Sequence, residues 1–258
     1  RGNSRFLHQM AVNAMRNHTA ARLGENATVD SSTTVDVLAN LRRVGVVFVN
    51  AGTVHSVTRA GEIGIGGLGA AGAAVAGTIT LDGDVVEAVV ARGADVTAGT
   101  DIEVRAQGHQ IFDNQAVGGS LGLLAAASMA VAFGMSETDV RAVVDGADLE
   151  AETGAITVLA DTDSDVDSLA LGLAASGAAG FGGAASVNFI RNTTEAIISG
   201  GATVDAQGDL IVSATDRSTF DADSAGLAAV LGIVGVAAGF GISVAGNNVE
   251  NVVTAEVN

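Results

Sequence analysis

Between residues 161 and 168 the chain reads D-T-D-S-D-V-D-S. Asp161, Asp163, Asp165 and Asp167 alternate with other residues, so on an extended strand all four carboxylates project from one side. Four like charges in a row repel unless water or a cation neutralises them. A hard cation such as Ca²⁺, with about six to eight oxygen ligands, is the ion such a row would attract. The competing reading is a solvated acidic face, and it carries more weight. The spacing is not that of an EF-hand loop, nor that of the G-G-x-G-x-D repeats of secreted toxins. The matching acids of the next repeat, Asp216, Asp221 and Asp223, are also sparser.

The other polar residues offer less. His8, His18, His55 and His109 are scattered without ligand spacing and read as surface or loop histidines. No H-E-x-x-H and no P-loop is present, and the chance G-x-G spacings precede no lysine. Cysteine is absent, which removes disulfides and thiolate metal sites. The chain therefore reads as a non-enzyme with no cofactor, the Ca²⁺ row aside. Asn17, Asn26 and Asn192 stand in N-x-T sequons without evident use. Asn188, Asn192, Asn247, Asn248 and Asn251 read as turn or ladder residues where apolar tracts end.

The elements that would position these residues follow from a repeat. Residues 12–29 read VNAMRNHTAARLGENATV, and residues 187–204 read VNFIRNTTEAIISGGATV. A second motif recurs at 26–39, 93–106, 146–160 and 201–214, the third copy with one extra residue. Lead-ins match as well: V-V-E-A-V-V at 85–90, V-R-A-V-V at 140–144 and T-E-A-I-I at 194–198. We read residues 1–25 as the tail end of a preceding repeat, then repeats at 26–92, 93–145, 146–200 and 201–258, in one continuous structure. About a dozen extra residues in the first full repeat are placed within 42–57. The opening residues lack an initiator Met and a clean apolar run, so the chain reads as beginning inside something longer.

Within a repeat, period-two alternation (Ala202, Val204 and Ala206 against Thr203 and Asp205) predicts strands with one buried face. Long glycine-rich apolar tracts follow, such as 116–135, 168–187 and 225–245. Uncharged runs of about twenty residues are also the mark of membrane-spanning helices. A polytopic membrane protein using four such tracts is therefore an alternative. Against it stand the many glycines, each costing about 1 kcal/mol in a helix interior, and the absence of Trp and Tyr for interfacial belts. Stacked strands explain more. A unit of about 55 residues cannot close its own sheet edges, whereas pairing each strand with its equivalent one repeat along satisfies every backbone group. Equivalent residues then form columns: Val29, Val96, Leu149 and Val204 inside, and Asp30, Thr97, Glu150 and Asp205 outside. The expected fold is all-β, a parallel β-solenoid (β-helix) with wide, flattened coils. One wide coil per repeat is preferred to two ordinary ones.

Composition agrees with thin layers. There are 35 glycines, no Pro, Trp, Tyr or Lys, and aromatics are 3%, all Phe. A net charge of −17 argues against nucleic acid and anionic membranes as partners.

The strand pair A-T-V-D-A-x-G-D-L-I-V-S-A (202–214), the tract A-G-x-G-x-S-V (238–244) and the lead-in N-x-T-E-A-I-I (192–198) resemble the repeat regions of giant bacterial surface proteins, the filamentous, leukotoxin-type or haemagglutinin-like adhesins. The resemblance implies an extracellular or cell-surface β-solenoid shaft without catalytic residues. Its partners would be other copies of itself or adjoining repeats of a longer chain, and a filament self-assembling end to end is one form of this. A binding module that displays a lateral face for glycan or cell-surface protein is the other reading.

Overall fold

The computed structural model describes residues 6–16, 18–31, 35–40, 53–65, 71–232 and 237–258. Among them every regular element is a strand, and every strand pairing is parallel. Three sheets result. The short sheet holds Thr28–Ser31, Asp95–Ala98, Asp148–Ala151 and Thr203–Ala206. The first long sheet is centred on Ile102–Gly122 and Ile156–Ser176. Val35–Asn40 and Thr53–Ile65 flank it on one side, and Leu210–Asp216 and Thr219–Val230 on the other. The second long sheet runs from Phe6–Met15 and His18–Leu23 through Ala71–Val90, Ala125–Asp145 and Ala179–Ser199 to Ala238–Val249 and Val252–Val257.

Each circuit of the chain visits the short sheet, the first long sheet, then the second, and returns. Strands of 21 residues extend about 70 Å at ~3.3 Å per residue. The apolar tracts that as helices would make membrane spans are strands here. Among the described residues no helix is long and apolar enough to cross a membrane.

Register explains the uneven repeat lengths. Between the inner layers of both long sheets the offset is 54 residues, as in Ile102 to Ile156 and Ala125 to Ala179, while the outer steps of the second are 67 (Phe6 to Ala73) and 59 (Ala179 to Ala238). In the short sheet the steps are 53 (Val96 to Leu149) and 55 (Leu149 to Val204). The difference sits in turns. Four residues separate Ala151 from Ile156 where three separate Ala98 from Ile102, and a second glycine at 200–201 lengthens the next turn. The excess in the first repeat is bracketed in the same way. Thirteen positions separate Asn40 from Thr53, whose partners Gln107 and His109 are two apart. The extra length therefore falls on 41–52, outside the described residues, and Thr53–Val57 are already in strand.

The turn entering each short strand needs one left-handed residue. Asn26, Gly93, Gly146 and Gly201 occupy equivalent places with φ of 54°, 73°, 59° and 74°. Glycine and asparagine tolerate that region and β-branched residues do not.

The two long sheets face each other, and the space between them changes along the strands. Next to the short sheet the interior is apolar and bulky, with Val96, Val104, Val144, Leu149, Ile156 and Ile198 fully buried. The middle is mixed, with Gln110, Asn114, Thr162, Ser168, Asn188 and Thr194 buried beside Phe112, Val166 and Ile190. At the far end the filling shrinks to Ala116, Ala130, Ala132, Ala170 and Ala184. There the backbones nearly touch: a Cβ on Gly172 would stand 1.9 Å from the carbonyl oxygen of Gly183.

Candidate functional site

The acidic row lies on Ile156–Ser176, whose burial alternates strictly. Asp161 and Asp163 are half-buried, and Asp165 and Asp167 are exposed on the same outer side. Alternate residues of a strand are ~6.6 Å apart, so the row is a line and does not close into a cage. Its members turn to neighbours in adjacent layers. Gln107 Nε2 donates to Asp161 at 3.3 Å, and Arg217 lies 3.9 Å from the same carboxylate. His109 Nδ1 sits 3.1 Å from Asp163, and Thr219 Oγ1 donates to Asp165 at 2.9 Å. Among the described residues no group of three or more His, Cys, Asp or Glu is placed to hold a metal ion.

Asp167 differs from its three companions. It is the centre of a column, with Asp113 in one adjacent layer and Asp221 in the other. Adjacent strands stand ~4.8 Å apart. Partial burial, then the charges of Asp165, Asp221, Asp113 and Asp223, push its carboxyl above the ordinary range. Arg59 engages Asp113 at 3.2 Å, relieving one end of the column. This side is therefore an anionic strip whose repulsion falls as salt is added.

The histidines are not brought together. His109 meets Asp163, and His18 lies 3.6 Å from Glu87 on the other long sheet. The backbones of His8 and His55 pair with Val75 and Ile111, and their side chains lie outside the described residues. Of the sequon residues, Asn26 forms the left-handed turn, Asn192 is buried, and Asn17 lies outside the described residues.

The asparagines form a ladder that runs from the buried Asn188 and Asn192 to the exposed Asn247 and Asn251. Asn188 Nδ2 donates to Asn247 Oδ1 at 3.0 Å, while Asn188 Oδ1 accepts from Ser168 Oγ at 2.6 Å. Asn251 Nδ2 reaches Asp216 at 2.6 Å. Asn248 instead pairs in register with the outward Phe189. A parallel network joins Gln110 Nε2 to the buried Asp84 at 3.2 Å and Ser136 Oγ to Gln110 at 3.0 Å. Apart from the Asn188–Asn247 bond within one sheet, these bonds tie one long sheet to the other beside the buried Phe112, Val166 and Ile190.

The run G-G-S-L-G at 118–122 carries the spacing of a nucleophile elbow. The fold gives it a different place. It lies in a strand and not at a strand-to-helix turn, Ser120 is 3% exposed and faces inward, and His109 on the same strand faces outward.

Sequence reading passed over one feature, the outer face of the second long sheet beyond its charged half. Met129, Phe181, Phe189, Phe240 and Ile242 stand open there. Phe181 and Phe240 wall a groove of about 350 Å³ floored by Ala73 and Ala127. The signal in the sequence was the outward parity of these residues, hidden because both strand faces of the tracts are apolar. No family model matches the chain, and neither a curated protein nor a solved structure does.

Proposed function

We propose that this chain is a parallel β-solenoid of wide, flattened coils, one coil per repeat, and that it serves as a section of the shaft of an extracellular bacterial filament or adhesin. The observation that carries the reading is the register. In all three sheets each strand pairs in parallel with its equivalent one repeat on, over as many as 21 consecutive residues. Such stacking makes length the product of repeat number, at ~4.8 Å per layer, and gives each layer the same lateral faces. Polar columns support a load-bearing role: Glu87, Arg141 and Glu195 alternate in charge along the axis, with Arg141 Nε 3.3 Å from Glu195. The acidic strip keeps one side solvated. The chain has no catalytic part in this reading, and its partners are adjoining repeats or further copies.

Electron microscopy and fibre diffraction test the proposal. Rods whose length increases with added repeats, with a meridional reflection near ~4.8 Å, are expected. Compact particles of constant size on adding repeats would refute it. Antibody labelling of intact cells of the source organism tests the location, and label appearing only after lysis would refute that part.

A further inference from the structure

The second long sheet's outer face is uncharged over its half nearest the two-residue turns, residues 125–136 and 179–190 in the two inner layers. Nine large apolar side chains of this face stand 37–66% open. Met129, Val131, Phe181 and Phe189 belong to layers that have strands on both sides, so further stacking along the axis leaves them bare. Seven of the nine, Met10 and Val12 apart, lie in the four layers that a two-fold contact can pair, and their open fractions equal between three and four whole side chains, roughly 550 Å² at the low end of the ~150–250 Å² of an aromatic side chain. That is at the top of the about 300–600 Å² of an ordinary monomer's largest apolar patch, and with a polar rim it approaches the about 800 Å² per partner that a stable protein–protein contact buries.

The face also complements itself. Over the four layers from Ala71–Val90 to Ala238–Val249 one column reads Ala73, Ala127, Phe181, Phe240, two small residues then two large, with Phe6 before them on the outermost strand. Another reads Gly77, Val131, Ala185, Val244, with Met10 before them. A two-fold axis lying along the strands, between two such faces, keeps the strand direction and reverses the order of layers. It sets Phe240 of one copy on Ala73 of the other, and Phe181 on Ala127, so that the walls of each groove enter the other's floor. Val244 then meets Gly77, and Val131 meets Ala185. Pairing large with small is what two sheets packed about 10 Å apart need in order to interdigitate.

We propose that a second copy of this chain covers this face, giving a two-fold dimer in which the Phe181–Phe240 wall fills the partner's alanine-floored groove. A lipid surface fits less well, because a chain of charge −17 is repelled by anionic headgroups. The proposal rests on register and exposure and does not depend on the shaft reading. A dimer without rods would support one and refute the other.

Sedimentation velocity of the full chain over the micromolar range tests it, with circular dichroism checking the strand content of each variant. The wild-type chain is expected to dimerise, more tightly as salt screens its charge. Ala127→Phe adds apolar surface yet fills the groove, and should weaken the dimer by about tenfold or more. If that variant does not fold, Phe240→Ser, in an exposed position, should give the same loss. Leu173→Ser, on the outer face of the other long sheet, should leave association unchanged. A wild-type chain that stays monomeric, an Ala127→Phe chain that associates as well as wild type, or dissociation by Leu173→Ser would overturn the proposal. Flotation of a monomeric wild-type chain with neutral phosphatidylcholine vesicles would overturn it too, and would assign the face to lipid.

Discussion

The two ends of each circuit solve the same problem with opposite materials. Beside the short sheet, Val104, Val144, Ile156 and Ile198 fill a wide interior, and outer columns such as Glu87, Arg141 and Glu195 carry the charge. At the far end the interior is alanine and glycine, the backbones approach to contact, and the large apolar residues Phe181, Leu173 and Leu227 point outward. One end is an ordinary amphipathic sandwich, apolar within and charged without. The other has its bulk on the outside, so its stability comes from backbone pairing and close approach, and its apolar surface stands open. The contrast teaches that parallel pairing in register does not require a thick core, provided every strand has a partner above and below.

Substitutions at the two ends can break this contrast, starting with the most damaging. Gly172→Val at the thin end should cost about 3 kcal/mol or more, because the added atoms meet the Gly183 backbone, which cannot rotate aside. Urea unfolding with an unchanged m-value would measure it, and a cost below about 1 kcal/mol would show that the sheets can separate there. Ile156→Ala at the thick end should cost about 3 kcal/mol by leaving a cavity. Gly172→Ala measured beside it compares overpacking with underpacking directly. Between the two ends, Asn188→Ala removes the acceptor of Ser168 and the donor to Asn247, and should cost about 2 kcal/mol. Hydrogen exchange should rise along 179–199 before it rises near Ile156.

The smallest effect concerns Asp167. Its carboxyl binds a proton more readily in the folded chain than in the unfolded one, so it contributes most to stability when protonated. That contribution declines as pH rises from the ordinary carboxylate range through its raised folded value. Asp167→Asn should therefore stabilise the chain at neutral pH by no more than about 0.5 kcal/mol after solvent screening. The gain should vanish in acid and shrink in high salt. A destabilised variant at pH 7 would mean that the carboxylate has a favourable partner.

Much of this was legible because the repeats align without gaps inside strands. Val29, Val96, Leu149 and Val204, read as one column, are neighbours in the short sheet. The 175-residue echo between Val12 and Val187 is the sum of three register steps, through Ile79 and Phe133. The alternation of Asp161 to Asp167 placed all four on one side of a strand, and in the fold that side is the outer one. What stayed hidden was which side of the glycine-rich tracts faces in. In AVAFGM (130–135) alanine lies inside and valine, phenylalanine and methionine lie outside, against the usual sorting by size. Hydrophobicity cannot signal a face when both faces are apolar. Asn188 reads as a turn or ladder residue, and it does ladder onto its register partner Asn247 in the same sheet, but its bond to Ser168, 20 positions away, forms only across the two sheets.

Periodicity and repetition alone determined that this chain is built of strands in stacked equivalents, because period two and a constant offset are local properties that survive without coordinates. Only the tertiary structure decided how far apart the long sheets stand. That distance depends on pairs such as Gly172 and Gly183, which a turn brings opposite each other. With the spacing came the outcome that small residues went inside and the phenylalanines were left facing out.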